Sequence, residues 1–498
     1  MLPPSTAAAH FRDNMLPPST TAAVIMTWQI ENFLEVRDHR LHVDGVDAVE
    51  LARQHSTPLF VFSESRIRQN IERLRQSASV IDCPLKICYA AKAMSTMGIL
   101  RAVKDAGIDI EVNSGGELWK ALKAGFAGEQ IIFNGTSKEV WEIENAIDAG
   151  IYAIQVDSLY ELTLIEETAK RLNKKANVSL RLVPEIETGT HSGLQTALLT
   201  SKFGMMPEEA LEAFRKFKDS PHVALRGIHL HIGSQNPEPH AYADAFQMLF
   251  ETLERIRKET GVRIEHVNLG GGFPVNYLRD RTHSADFPRE QLEMFSADFE
   301  PSKAIGEAWK LVKSIAADGG STDVLDGITL LLEPGRSIIA DAGICLTTVR
   351  NLKQRPVTPA RSQIPNPKSD IDTWLLTDAG FNILLSMETY KWYYHLISAE
   401  RADAEHAVQY KLAGPLCDGG DVYFDIEGHG RLPDHRLLPS GVAPGEVLAL
   451  LNCGAYSLAQ ASQYNGRFLP AVVLIGQDGS VELIRKRETF EDLIASDL

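Results

Sequence analysis

Leu85-Lys-Ile-Cys-Tyr-Ala-Ala-Lys92-Ala-Met94 is a short apolar run that reads as a buried strand with one lysine at its C-terminal tip. Burial strips water from an ammonium and lowers its pKa, which makes such a lysine available to form a Schiff base with an aldehyde cofactor. Most lysines at strand ends simply reach water, so Lys92 gains meaning only from its surroundings. Working outward, similar apolar runs recur at 59–62, 85–90, 108–112, 131–133, 153–156, 178–182, 227–231 and 267–269, each followed by an amphipathic stretch. Eight such units predict a (β/α)8 barrel, an α/β architecture that gathers functional groups at the C-terminal ends of its strands. Past Glu333 the texture changes to β-rich segments at 374–377, 447–451 and 471–475, with a proline-rich loop at 355–367, and predicts a second, all-β domain.

Three distant segments bear on Lys92. His266-Val-Asn-Leu-Gly270-Gly271-Gly272 is a strand running into bare backbone, whose N–H groups can converge on a phosphate. Ile328-Thr-Leu-Leu-Leu-Glu333-Pro-Gly-Arg336 places a carboxylate and a guanidinium at another strand mouth. The carboxylate can keep a pyridine nitrogen protonated and the arginine can clamp phosphate, although a plain ion pair capping the strand explains the same residues. In Leu225-Arg-Gly-Ile-His229-Leu-His231-Ile-Gly-Ser234-Gln the two histidines share one face. That spacing suits half a metal site, but no Cys/His/carboxylate partner set accompanies it, and no metal is predicted.

The chain has 498 residues, 44% of them hydrophobic, enough for two domains with substantial cores. A formal charge of -16 argues against nucleic acid and anionic membrane partners and favours a small metabolite. Five cysteines without zinc-type spacing suit a reducing cytoplasm. Met1-Leu-Pro-Pro-Ser-Thr6 returns as Met15-Leu-Pro-Pro-Ser-Thr20 without a sustained apolar core, so residues 1–26 read as a disordered leader and the expected location is cytoplasmic.

In order along the chain, Tyr89-Ala-Ala-Lys92-Ala, Ser114-Gly-Gly-Glu-Leu118, Phe133-Asn-Gly135, Thr190-His191, Ser201-Lys-Phe-Gly204, His229-Leu-His-Ile-Gly-Ser-Gln235, Gly270-Gly-Gly272, Glu333-Pro-Gly-Arg336, Gly414-Pro-Leu-Cys417-Asp418 and Gly454-Ala-Tyr456 resemble the motifs of the group III pyridoxal-phosphate decarboxylases. This is the family of diaminopimelate and ornithine decarboxylases with the alanine-racemase-like barrel. The resemblance implies a cofactor-binding barrel over 58–335 and a β domain over 336–498, completed by the segment 27–57. It implies that Lys92 carries pyridoxal 5'-phosphate and that Glu333 holds the ring nitrogen protonated. It further implies that His231 lies on the ring face and that Ser234, Gly271, Gly272, Arg336 and Tyr456 hold the phosphate. Cys417 is implied as the proton donor delivered into a partner subunit's site, so that a homodimer with shared sites acts on an amino acid.

Glutamate at position 333, where the related racemases carry arginine, favours decarboxylation over racemisation. Retention of Lys92, the glycines, Arg336 and Cys417 argues against a non-catalytic regulatory homologue. For substrate, the chain carries Cys417-Asp418-Gly-Gly-Asp421 where diaminopimelate decarboxylases carry Cys-Glu-Ser-Gly-Asp, and Ser386-Met387 where they carry an arginine and a proline for the distal carboxylate. These departures are similar to the D-ornithine/D-lysine decarboxylase branch, with Asp418 and Tyr456 as substrate contacts, and imply a diamino acid of lysine or ornithine type. Diaminopimelate itself, or a larger conjugate from siderophore or antibiotic assembly, stays open. Glu111 and Asn113 fall near the cofactor in one strand register and away from it in another. Arg181 and His191 align near the mouth and are as readily structural.

Overall fold

The computed structural model describes residues 28, 33–183, 201–279, 286–356 and 371–497. The leader, His191 and most of the proline-rich loop fall outside them. Eight parallel strands close into a barrel: β1 Leu85–Ala90, β2 Asp109–Val112, β3 Ile131–Phe133, β4 Ala153–Val156, β5 Ala176–Arg181, β6 Val223–His229, β7 His266–Asn268 and β8 Thr329–Leu332. Closure runs through β8, whose Leu330 pairs with Leu85, while Ala90 at the far end of β1 pairs with Glu111. The strand-to-helix turns have identifiable causes. Ser114 and Ser158 accept the N–H groups of Glu117 and Glu161, and those glutamates reach back to the N–H groups of Asn113 and Asp157. Each serine thereby satisfies an orphan donor of the first helical turn and each glutamate ties down the residue before the cap, so the helices start sharply at the barrel mouth.

One expected barrel strand belongs elsewhere. Leu59–Ser63 lies between Gly343–Pro356, antiparallel to it, and Ala471–Ile475, parallel to it, in a nine-stranded sheet, and β8 takes the eighth place in the barrel. All five of its residues are buried. A strand covered on both faces reads as a continuous apolar run in a barrel and in a sheet alike, so periodicity alone does not separate the two.

The sheet forms the β domain, and the N-terminal segment completes it. Leu34–Arg37, Arg40–Val43 and Val46–Asp47 make a small antiparallel sheet whose Leu41 N–H donates to Ala399 O. Trp28, Phe33, Leu41 and Val43 share a core with Leu59, Val61, Ile344 and Val473. Trp28 Nε1 donates to Ala402 O at 2.8 Å across 374 residues of sequence. At the seam with the barrel, Asp341 accepts from Arg66 and, at 2.7 Å, from Asn70 Nδ2, tying the helix Glu64–Arg75 to the turn just after Arg336. Among the described residues no helix is long and apolar enough to cross a membrane.

Candidate active site

The C-terminal ends of β1, β6, β7 and β8 converge on a cavity of about 340 Å³, lined by Lys92, His231, Ser234, Gly272, Glu333, Gly335, Arg336 and Tyr456. Lys92 sits on a single helical turn, Ala91–Ala93, just past β1. Its side chain keeps accessible surface because it opens onto the cavity, yet it lies deep enough for burial to weigh on its charge. Nζ has no hydrogen-bond partner among the described residues. Burial alone pulls the ammonium pKa down as expected from the sequence, but Glu111, Tyr456 and Glu333 outweigh it and the pKa is raised. The expectation counted desolvation and missed the carboxylates gathered from neighbouring strands.

Glu333 follows β8, fully enclosed. Its oxygens accept Asn268 Nδ2 at 2.6 Å and Asn134 Nδ2 at 3.0 Å, and His229 Nε2 stands 3.3 Å away. Burial drives the carboxyl up, but His229, Asn268 and Lys92 overcome it and hold the pKa at about 2. Burial also drives the His229 imidazole down, with Glu333 opposing that fall. The histidines of the β6 motif therefore separate: His229 serves Glu333, and His231 Nδ1 accepts the Gly271 N–H at 3.2 Å.

The glycine turn is crowded in a way only glycine tolerates. A Cβ on Gly271 would stand 2.3 Å from Glu333 O, and one on Gly272, at φ +96, would stand 2.4 Å from Gly233 O. Asn268 Oδ1 accepts the Gly270 N–H at 2.8 Å, so one side chain braces both the cradle and Glu333. Arg336 donates to Ser234 Oγ at 3.1 Å and Tyr277 Oη at 2.9 Å, with its guanidinium 4.3 Å from the Trp392 ring and 4.8 Å from that of Tyr456. Tyr456 reaches over from the β domain at φ +57, a strained value for a non-glycine residue, fixed by its N–H on Ala93 O at 2.9 Å.

Cys417 and Asp418 are not brought to this cavity within one chain. Both are exposed on a turn that Asp421 pins by accepting the N–H groups of Phe381 and Leu416, each at 2.8 Å. Cys417 N–H donates to Asn465 Oδ1 and Tyr464 Oη donates to Asp418. Ser386 is buried on the short helix Leu385–Thr389, 3.3 Å from Gln460 Oε1 and 3.5 Å from Tyr456 O. Asn113 N–H donates to the Glu117 carboxylate at 2.8 Å just before the helix, whereas Glu111 points inward to Asn134 Nδ2 at 2.7 Å. Arg181 is buried over the Phe203 ring, and its Nε finds no partner among the described residues. Asn134, Asn268, Tyr277 and Trp392 also build the site, though none is among the residues expected there. Asn134 lies in the Phe133-Asn-Gly135 motif and Asn268 directly precedes the glycines, whereas nothing local marks the two aromatics.

Residues 64–340, the span that holds the whole barrel, match the pyridoxal binding domain of the pyridoxal-dependent decarboxylases. The chain belongs to that family. This decarboxylase is an amino-acid carboxy-lyase that works with pyridoxal phosphate. It is 34% identical over 471 residues to the diaminopimelate decarboxylase of Methanocaldococcus jannaschii, covering 93% of this chain and 96% of that protein. It is 31% identical over 461 residues to the Bacillus subtilis diaminopimelate decarboxylase, covering 92% and 95%. The crystal structure of the M. jannaschii enzyme with L-lysine superposes with a TM-score of 0.78 at 33% identity, covering 94% and 98% of the two chains. The Cys417 segment taken alone points to the D-ornithine/D-lysine branch, and the match over the whole length is instead to diaminopimelate decarboxylases.

The residues of the cavity suit the cofactor. The cradle is backbone that a Cβ would fill, Arg336 is a buried cation beside it, Lys92 presents an unengaged amine, and Glu333 is an ionised carboxylate within the same enclosure.

Proposed function

We propose that the chain releases carbon dioxide from the α-carbon of diaminopimelate. Similarity to diaminopimelate decarboxylases over more than nine-tenths of both chains carries this reading. Pyridoxal phosphate supplies an aldehyde that condenses with amines and a ring that accepts the electron pair left when carbon dioxide departs. In this reading Lys92 would hold the cofactor covalently through its side-chain amine. Glu333, ionised by its amide donors, would keep a proton on the ring nitrogen, and His231 would face the ring. Arg336, Ser234, Tyr456 and the N–H groups of Gly271 and Gly272 would bind the phosphate and so fix the position of the cofactor. Cys417 delivers the final proton in the partner subunit's site, with Asp418 and Tyr456 at the substrate. The turn, held by Asp421 with Cys417 and Asp418 exposed and outside the lining of their own cavity, supports this cross-subunit assembly.

A second reading, a lysine- or ornithine-type substrate of either hand, rests on Ser386 in place of a carboxylate-binding arginine and on Asp418 after the cysteine. A carbon dioxide release assay across meso-diaminopimelate and the D and L forms of lysine and ornithine decides between them. Turnover of diaminopimelate alone is expected; release only from lysine or ornithine establishes the second reading. Cys417→Ala is expected to keep the cofactor bound while slowing or misdirecting protonation. An unchanged rate and product would remove the thiol from the reaction.

A further inference from the structure

Lys92 meets the cofactor aldehyde as an ammonium, because the surrounding carboxylates raise its pKa, and an ammonium has no lone pair with which to attack. A base must therefore take a proton from Nζ. Glu333 is poorly suited, since Asn268, Asn134 and His229 converge on it and hold it in its weakly basic form. His231 Nδ1 is engaged with the Gly271 N–H, and burial keeps its ring from accepting a further proton. Glu111 differs in geometry. It is fully buried at the end of β2, paired in register with Ala90, two residues before Lys92. One oxygen, Oε1, is held by Asn134 Nδ2 at 2.7 Å, and the other, Oε2, has no partner among the described residues.

We propose that Glu111 is the base that frees the Lys92 amine, and that Asn134 is the positioning residue that aims it and couples it to Glu333. The proposal rests on the reading of Lys92 as the cofactor's attachment point. In the step, one Nζ–H bond breaks and its electron pair stays on nitrogen as the lone pair. The proton passes to Oε2, so that ammonium and carboxylate become amine and carboxylic acid with no net change of charge. When the substrate amine displaces Lys92, the same proton returns to the lysine. The single amide of Asn134 donates to both Glu111 and Glu333, so the proton-accepting carboxylate and the ionised one are held apart in role by one side chain.

The groups facing Glu111 fit this duty. Cys88 and Lys92 come from β1 and its turn, Glu117 from the helix Gly115–Ala124, Arg181 from β5 and Glu333 from β8. Burial raises the Glu111 carboxyl, Lys92 opposes it, and Glu333 and Glu117 add to the rise, leaving it at about 7 despite the Asn134 bond. A base is most effective with a pKa near the working pH.

The test is the rate at which full-length apoenzyme takes up pyridoxal phosphate, followed by absorbance across pH, with borohydride trapping and peptide mass spectrometry to locate the label. In the wild type the rate should rise through a group near neutrality. Glu111→Gln should slow uptake about 100-fold at pH 7 and lose that pH step, while reaching the same final label on Lys92. Glu111→Asp should restore the step in part, which a purely structural role would not do. Asn134→Ala, which leaves the carboxylate in place but unaimed, should slow uptake without abolishing the step and serves if Glu111→Gln fails to fold. Wild-type rates and pH profiles in Glu111→Gln, or in Asn134→Ala, overturn the proposal. Label on a residue other than Lys92 in the wild type would refute the reading beneath it instead.

Discussion

Replacing Gly271 by alanine tests the cradle most directly, because the obstruction is backbone and cannot rotate away. The added Cβ would lie 2.3 Å from Glu333 O and 3.1 Å from its carbonyl carbon. Non-bonded contacts settle near 3.5 Å, so the loop after β7 and the end of β8 must part by roughly 1 Å. Those two segments carry the glycine N–H groups on one side and the Glu333 carboxylate on the other, and no relaxation spares both. A misplacement of about 1 Å at a catalytic constellation costs on the order of 100-fold, or about 3 kcal/mol. The crowding itself should remove about 1–3 kcal/mol of stability. The assay is a cofactor titration of the apoenzyme by absorbance, paired with carbon dioxide release and a thermal melt. Gly116→Ala is the control: Gly116 is exposed in the helix Gly115–Ala124, and its Cβ would come no closer than 3.7 Å to Ser114 Oγ. That change should leave cofactor affinity intact and add about 0.5–1 kcal/mol. Gly271→Ala binding cofactor within about twofold of wild type, at an unchanged rate of turnover, would show that the glycines are not part of the cofactor site.

Three further outcomes follow from the same structure. Glu333→Gln should cut carbon dioxide release by about 100-fold or more; because the folded pKa lies below the unfolded one, the carboxylate's stabilisation is present above about pH 4.5 and lost as pH falls towards about 2, so acid melts should show the variant losing less stability than wild type over that window. Asp421→Ala strands the buried N–H group of Leu416 and the half-buried one of Phe381; about 1–3 kcal/mol is at stake at Leu416, and a melt together with activity should register both the loss and the loosened Cys417 turn. Arg66→Ala leaves Asp341 buried without its cation, and denaturant unfolding should show a loss of about 3–5 kcal/mol.

The barrel was legible because seven of its strands are closed apolar runs followed by amphipathic helices, and the capping serines and glutamates mark where the turns fall. Leu59–Ser63 was misplaced because chain order put it next to the barrel while its partners lie far downstream. The cavity residues stood out where chemistry is compressed into a motif, as at Lys92, the glycines and Glu333–Arg336. The side chains that tune them did not, since they act through hydrogen bonds that span 59 residues from Tyr277 to Arg336, 65 from Asn268 to Glu333 and 199 from Asn134 to Glu333. The sign of the Lys92 shift was lost for the same reason: the opposing carboxylates come from other strands.

The position of Leu59–Ser63 also bears on how the polypeptide is made. This Leu-Phe-Val-Phe run leaves the ribosome early, yet Gly343 and Ala471, which flank it in the finished sheet, emerge some 280 and 410 residues later. At about 5–20 residues per second, the wait lasts on the order of tens of seconds. Throughout that interval a sticky strand with two open edges is tethered to a barrel that is still growing. Recombinant yield should therefore respond to holdase chaperones and to slower translation more than to any change in the finished enzyme's stability.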